Sequence, residues 1–273
     1  MYQFGNQHPT RGTPKARLLI ALVLVIFTIV SYYGKSEENA FTGQKQSVAM
    51  TKNEEIALGL NAAPRVSGQY GGEDKNAEDR ARVERIGQRL LAGKSLARSD
   101  YRYQFHLLAD TKTINAFALP GGQIFITRAL YSKLTDAQLA GVLGHEIGHV
   151  VARHGAAQLA KQQLTQGLAG AAGVATGDNS GAHMAMMVGQ VVGMKYGRGD
   201  ELQSDILGVR FMTEAGYNPR SLIGVMKILA ASSKAGRQPE FFSTHPNPEN
   251  RIGKIEEAIA TQYPDGLPAG LED

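Results

Sequence analysis

Residues 135–164 carry three histidines and a glutamate inside a stretch whose apolar residues recur at helical intervals, which predicts one long, largely buried helix. His145 and His149 are four residues apart, so both rings project from one face and can bind one metal ion. Glu146 is rotated from them by one residue and can reach a water at that ion without binding the metal. The alternative is an ordinary histidine-rich helix, because an HExxH pattern alone occurs by chance in many proteins.

The other ligands of such a metal ion are limited by composition. The chain has no cysteine, which excludes disulfides, cysteine nucleophiles and thiolate ligands, so any zinc must be held by histidine and carboxylate. The metzincin pattern requires a glycine and a histidine where this chain has Ala152 and Gly155. His154 lies outside that pattern and is predicted to be a surface or helix-end group. The third ligand must therefore come from another segment.

Two carboxylates one helical turn apart, Glu201 and Asp205, are the best source of that ligand. They lie in a segment whose apolar residues mark it as partly buried, and buried charges without partners are costly. Glu201 as a zinc ligand and Asp205 as an acceptor for a metal-binding histidine would explain both. The alternative is a solvated helix face with Arg198 as partner.

The N-terminus contains sixteen uncharged residues, 18–33, preceded by basic residues and followed by Lys35. This pattern predicts a transmembrane anchor with a cytoplasmic basic N-terminus, residues 1–17. A signal peptide cleaved to release a periplasmic protein is the alternative, although Tyr32 and Tyr33 fit a cleavage site poorly. The anchored domain would then face the periplasm of a bacterium, from a single-pass position in the inner membrane.

The net charge of +4 does not indicate a nucleic-acid partner. Arg11, Lys15 and Arg17 precede the first acidic residue, Glu37, and the remainder of the chain is close to neutral.

The rest of the chain is predicted to form a polar tether, residues 34–50, and one domain, residues 51–273. Thr51 and Glu54 form a capping-box pattern that begins a helix, and an amphipathic helix follows and stops at Gly93. Three short strand patterns, the last two joined at Pro120, predict a small sheet beside the HExxH helix.

The segment 167–194 is rich in glycine, and its apolar runs are too short to cross a bilayer. It is predicted to be either a lid or membrane-proximal flap over the cleft, or a plain helical hairpin that closes the core. Deletion of Gly177 to Gly181 would separate the two alternatives.

Five ordered motifs, HEIGHV, DELQSD, AGYNP, NAFALPGG and STHPNPENRI, together resemble metallopeptidase family forty-eight, the HtpX, BepA, LoiP and Oma-type zinc metalloproteases. The resemblance covers roughly residues 51–260 and is greatest to the single-anchor branch. It implies an α+β fold: a mostly helical, zincin-like (gluzincin) domain with a small sheet beside the HExxH helix, after one N-terminal transmembrane helix.

The residues then predict a hydrolytic site with one zinc ion per chain. His145, His149 and Glu201 would hold the metal, and Glu146 would act as general base on the attacking water. The resemblance implies that His245 returns to the metal, as an oxyanion donor and also as a latch that occupies the fourth position in a closed state. A histidine that only caps the turn before Pro246 is the alternative.

One further expectation comes from the resemblance. The strand Asn115, Ala116, Phe117, Ala118 and Leu119 would be an edge strand that pairs with an extended substrate. Arg251 is a weaker candidate for the site and is expected instead to tie the C-terminal helix to a carboxylate.

The expected function is a membrane-anchored zinc endopeptidase for unfolded or misassembled envelope proteins. The alternative is a chaperone or assembly factor on the same zinc scaffold with little proteolysis. A weaker possibility is prenyl-protein processing, which in the family requires many membrane spans.

Overall fold

A computed structural model describes residues 13–176, 195–234, 239–246 and 250–273. Most of the glycine-rich segment, including Gly177 to Gly181, lies outside these ranges. The helices are α1 (Pro14–Gly34), α2 (Lys52–Gln69), α3 (Ala77–Leu91), α4 (Arg128–Tyr131), α5 (Asp136–Val151), α6 (His154–Thr176), α7 (Arg198–Glu214), α8 (Ser221–Lys234), α9 (Phe241–Thr244) and α10 (Arg251–Gln262). The strands are β1 (Ser36–Glu38), β2 (Lys45–Ser47), β3 (Gln104–Leu108), β4 (Ala116–Leu119) and β5 (Gln123–Thr127).

The predicted sheet is present as three strands in the order β3-β5-β4. β5 pairs parallel with β3 and antiparallel with β4, so β4 is an edge strand. The β4–β5 turn needs glycine: Gly121 has φ 86°, and a side chain there would meet the backbone of Ile56 at 2.4 Å. The fold is therefore mostly helical with a small sheet, as the family resemblance implies.

The helix α5 is the centre of the domain. Every residue from Leu139 to Val151 is buried, and the helix packs against α3, α7, α8 and β4. Its start is a capping box in which the Thr135 hydroxyl accepts from the backbone N–H of Gln138. Thr51 forms the predicted capping box with Glu54 at the start of α2.

Small residues let α5 and α7 approach closely. A side chain added at Gly148 would lie 3.0 Å from the Cα atom of Ser204, and one at Gly208 would lie 3.3 Å from the backbone nitrogen of His145. Larger side chains would push the helices apart and separate the carboxylates of α7 from the histidines of α5.

The prediction of one continuous helix over residues 135–164 was wrong. α5 ends at Val151, Arg153 adopts a left-handed conformation with φ 58°, and α6 begins at His154. Three acceptors distant in sequence hold the Arg153 guanidinium: the Glu55 and Glu37 carboxylates and the backbone carbonyl of Met50. These contacts offset the cost of the left-handed residue, which is of order 1–2 kcal/mol for a residue with a Cβ atom.

The segment expected to be a tether, residues 34–50, instead forms an antiparallel hairpin of β1 and β2 that packs on the domain. Asn39 is buried, and its side-chain amide donates to the carbonyl of Val151 at 2.9 Å. The backbone N–H of Ala49 donates to the carbonyl of Ala156. Both contacts are made to the α5–α6 junction, which explains why this polar segment is ordered.

The N-terminal helix α1 is long and apolar enough to cross a membrane. It has 21 residues, a mean hydropathy of 2.2 over its most apolar window, and little burial within the protein. At 1.5 Å per residue it is about 31 Å long, close to the thickness of a bilayer core.

Candidate metal centre

Four buried side chains from three segments meet at one point of the domain. His145 and His149 come from α5, Glu201 from the first turns of α7, and His245 from the residue after α9. One potential ligand atom from each lies within 4.8 Å of the other three. Glu201 is therefore beside the two histidines, although it is more than fifty residues away in sequence.

The outer nitrogen of His145 is held by a carboxylate. Its Nδ1 lies 2.9 Å from the Oδ1 atom of Asp205, which orients Nε2 toward the centre. Arg251 donates from Nε and Nη2 to the two oxygens of Asp205, at 2.7 and 2.8 Å, and its Nη1 lies 3.2 Å from Glu201 Oε2. Arg251 thus ties α10 to both carboxylates of α7.

The outer nitrogen of His149 is held by a second histidine. The Nδ1 atoms of His149 and His154 are 2.9 Å apart, and His154 Nε2 lies 2.9 Å from Gln203 Oε1. If Gln203 Oε1 accepts a hydrogen bond from the N–H at His154 Nε2, then the bare Nδ1 of His154 accepts a hydrogen bond from the N–H at His149 Nδ1. His149 Nε2 then keeps its lone pair and can act as a ligand. The expectation of a surface group was wrong for His154, which is buried, although it does begin a helix.

Tyr196 is another residue of the site that the sequence did not indicate. Its ring stacks on that of His149 with centroids 3.9 Å apart, and its backbone N–H donates to the carbonyl of Thr244. It therefore contacts His149 on one side and the segment that carries His245 on the other.

The donor set fits a tetrahedral metal ion. The Nε2 atoms of His145 and His149 are 3.0 Å apart, and each lies 3.4 Å from an oxygen of Glu201. Ligands held at zinc distances of about 2.0–2.1 Å in a tetrahedron are separated by about 3.4 Å. Glu201 Oε2 is buried and makes no well-aligned hydrogen bond with the described residues, although Arg251 Nη1 lies 3.2 Å from it. Two imidazole lone pairs facing each other beside that oxygen need a cation between them.

The charges around the centre also favour a cation. Burial lowers the pKa of His145, but hydrogen bonds with Asp205 and Glu201 outweigh burial and raise that pKa to about 9. Burial raises the pKa of Glu201, but the three histidines beside it bring that pKa far below its usual range. The Glu201 carboxylate is therefore ionised, and the centre stabilises positive charge.

Glu146 lies beside this centre but is not one of its four donors. It is fully buried, its carboxylate oxygens have no hydrogen-bond partner among the described residues, and Oε1 is 3.7 Å from His245 Nε2. Burial raises the pKa of Glu146 above its ordinary value. A carboxylate with a raised pKa in a dry site is a suitable proton acceptor for a neighbouring water.

His245 completes the centre from the C-terminal side. It is fully buried, and its Nδ1 lies 3.0 Å from Glu201 Oε1 and 3.4 Å from His145 Nε2. The ring stacks on Phe241 with centroids 4.3 Å apart. These contacts go beyond those of a histidine that only caps a turn.

The strand Asn115 to Leu119 lies at the sheet edge, but it is buried. Asn115 faces Thr127 of β5 through backbone hydrogen bonding, so by alternation Ala116 and Ala118 direct their backbone groups away from β5. Just before the strand, the carbonyl of Ile114 accepts from the backbone N–H of Phe241. The segment that carries His245 thus also contacts the start of this edge.

The geometry predicts that His154 supports metal binding. We expect His154→Ala to weaken metal affinity about 10- to 100-fold, because His149 loses the partner that fixes its tautomer and ring orientation. His154→Asn should recover much of the affinity, since its side-chain oxygen can replace Nδ1 as an acceptor. Competition between the protein and a chelator of known affinity measures both variants. An alanine variant that binds metal as tightly as the parent would contradict this role.

Comparison with known proteins agrees with this centre. The profile of peptidase family M48 matches residues 77–259. The mitochondrial metalloendopeptidase OMA1 of Schizosaccharomyces pombe is 32% identical over 64% of this chain and 51% of its own length. A beta-barrel assembly-enhancing protease of Yersinia pestis is 31% identical over 62% and 37%, respectively. Metalloprotease YcaL of Escherichia coli is 25% identical over 81% of this chain and 92% of its own length.

The chain thus spans about half or less of the first two relatives, and most of the third. The family match covers well over half of the chain and includes both α5 and α7, which supply three of the four converging donors. The chain belongs to peptidase family M48.

Proposed function

We propose that this protein is a membrane-anchored, zinc-dependent endopeptidase that cleaves unfolded or misassembled proteins of the bacterial envelope. The observation that carries the proposal is the buried carboxylate of Glu146 beside a tetrahedral set of metal donors. A site that only stabilised the fold would have no use for a buried carboxylate that makes no hydrogen bond with the described residues.

His145, His149 and Glu201 are the residues that would hold the zinc ion. When bound, the ion would raise the acidity of water and polarise the peptide carbonyl. Glu146 takes the proton from the attacking water and delivers it to the leaving amine. Asp205 keeps His145 in the tautomer that presents Nε2 to the centre, and Arg251 holds Asp205 ionised and in place.

His245 is proposed to have two functions. As a latch it fills the fourth donor position, so substrate enters only when the α9 segment moves. That movement would also break the bond from Phe241 to Ile114 and free the edge of β4. After substrate has entered, the imidazole can return as a hydrogen-bond donor to the developing oxyanion.

His245→Ala separates these functions. Loss of the latch should tighten the binding of a hydroxamate inhibitor, which competes for the same position. Loss of the oxyanion donor should lower kcat about 10²- to 10³-fold. Inhibitor titration and peptide turnover measure the two effects independently. Unchanged hydroxamate affinity would contradict the latch role of His245, and unchanged kcat would contradict its role as oxyanion donor.

Substrate is proposed to add as a strand beside β4. Ala116 and Ala118 would offer outward backbone groups to an extended peptide. The strand would then recognise the backbone of the substrate more than its side chains, which gives loose sequence preference. Such a site favours unfolded chains. The Yersinia relative is named for β-barrel assembly, which supports envelope proteins as the substrate class.

Membrane attachment is proposed to occur through α1, with the domain in the periplasm. The positive charges Arg11, Lys15 and Arg17, which lie just before α1 and in its first turn, favour a cytoplasmic N-terminus. The contact between Gly167 of α6 and Thr28 of α1 supports an anchor that is retained, because cleavage would uncover the α6 surface that packs on it.

The proposal is tested with the zinc-loaded full-length protein in liposomes. We expect it to cut casein at internal peptide bonds, to lose activity in a chelator, and to regain it when zinc is added back. A tightly folded protein of similar size is the control and should remain intact. If the zinc-loaded protein never cuts casein, even without its anchor, the chaperone alternative gains.

A further inference from the structure

The helix α6 extends beyond the catalytic domain along the anchor. Its first residues pack on the domain, where Ala156 and Leu159 are buried, but its second half packs mainly on α1. A side chain added at Gly167 would meet the Thr28 side chain at 2.6 Å, so the two helices are in close contact there. Farther along α6, Ala171 is buried, and Ala21 is the buried residue of α1.

The two helices are antiparallel and leave the domain on the same side. One cavity is lined by Tyr32 and Tyr33 of α1 together with Ala157 and Lys161 of α6. Thr28, which precedes these tyrosines in α1, contacts Gly167, which follows Lys161 in α6. The two helices therefore run in opposite directions. At 1.5 Å per residue, Gly167 lies about 9 Å from the Gly34 end of α1, and Thr176 about 22 Å from it.

The polarity of α6 changes at the depth where a bilayer core would begin. The residues from Gln162 to Gln166 include three glutamines and a threonine, whereas residues 167–175 read GLAGAAGVA. No charged residue occurs between Lys161 and Asp178. Leu168, Ala169 and Gly170 are exposed on the surface of the protein. An aqueous domain gains nothing from a helix that projects from it with an apolar exposed surface, whereas acyl chains would cover that surface.

We propose that the second half of α6, residues 167–175, lies in the hydrocarbon layer of the membrane beside α1, with lipid acyl chains as its partner. The domain is then attached through a pair of helices rather than through one flexible span. This inference rests on the membrane attachment given under the proposed function. In addition, it rests on the contacts between α6 and α1.

The helix pair fixes where the metal centre stands relative to the membrane. His154 is the first residue of α6 and lies next to His149. Gly167 is thirteen positions after His154, which is about 20 Å of helix, and Gly167 is about 9 Å below the end of the anchor. The centre therefore stands about 10 Å beyond the Gly34 end of the anchor and about 20 Å from the depth at which the apolar half of α6 begins, which restricts it to polypeptides close to the membrane.

The absence of cysteine allows a direct test with single-cysteine variants of the full chain in liposomes. Gly170→Cys reports on α6, since a side chain there has open space around it. Leu22→Cys is the matched position on the exposed face of α1, and Lys94→Cys is a position in water. Each variant is treated with a charged maleimide and, separately, labelled with a fluorophore that nitroxide groups on lipid acyl chains quench.

We expect positions 170 and 22 to react with maleimide at least about tenfold more slowly than position 94, because an apolar environment raises the thiol pKa and excludes the reagent. All three should react equally in SDS. The fluorophore at 170 and at 22 should be quenched by acyl-chain nitroxides, and the one at 94 should not.

Two outcomes overturn the inference and are distinguishable. If position 22 is protected and quenched but position 170 behaves like position 94, or is protected without quenching, the anchor stands and α6 lies outside the bilayer. If position 22 also behaves like position 94, the membrane attachment of the proposed function fails together with the inference.

Discussion

Glu146→Gln is expected to lower turnover of casein by about 10²- to 10⁴-fold, the usual contribution of a general acid–base group, while zinc remains bound. The amide can no longer accept the proton of the attacking water. Zinc should remain because the four converging donors are His145, His149, Glu201 and His245, and Glu146 is not among them.

The fold should also survive this substitution. Burial raises the pKa of Glu146, so the site resists its charged form, and a neutral amide of the same shape has a similar desolvation cost. Turnover, zinc content and thermal unfolding are measured on the same preparation. Glu256→Gln, an exposed glutamate on α10, is the matched control and should behave like the parent. Turnover of Glu146→Gln within a few-fold of the parent would remove the general-base assignment.

The parts of the site that depend on local spacing could be predicted from the sequence. His145 and His149 follow from helix geometry alone, because a four-residue interval places both rings on one face. The pair Glu201 and Asp205 could be predicted from energetics, because two carboxylates in an apolar helix require partners. The structure supplies those partners. Asp205 contacts His145 Nδ1, and Arg251 forms ion pairs with the carboxylates of both Asp205 and Glu201.

The role of His154 could not be predicted in this way. In a continuous helix, a residue five positions after His149 is rotated by about 140° from it and faces elsewhere. The ring returns to His149 only because the helix breaks at Arg153. That break depends on Glu37, Glu55 and Met50, which lie about a hundred residues earlier in the chain. The same long-range contacts order residues 34–50, whose polar composition alone indicated a tether.

Glu201→Gln is expected to abolish tight zinc binding and, with it, hydrolysis. Glu201 is the donor that contributes negative charge to the centre, and its oxygens lie 3.4 Å from His145 Nε2 and 3.4 Å from His149 Nε2. A neutral amide oxygen is a weaker ligand for zinc, and the amide group can bring hydrogen atoms toward the lone pairs of the histidines.

Thermal unfolding with and without zinc tests this expectation. Ligand that binds only the folded state at about 100 times its Kd stabilises the parent by about 2.7 kcal/mol, whereas Glu201→Gln should gain almost nothing under the same conditions. Glu214→Gln is the matched control, because Glu214 is an exposed glutamate on the same helix α7 and should leave the zinc effect unchanged.

The zinc-free variant should itself unfold more easily than the zinc-free parent. Arg251 Nη1 lies 3.2 Å from Glu201 Oε2 in a fully buried setting, and removal of one partner of such a pair usually costs about 3–5 kcal/mol. Asp205 remains on the other nitrogens of Arg251 and should reduce that loss. If Glu201→Gln gains as much stability from zinc as the parent, Glu201 is not a ligand, and the metal must be held by the histidines with another donor.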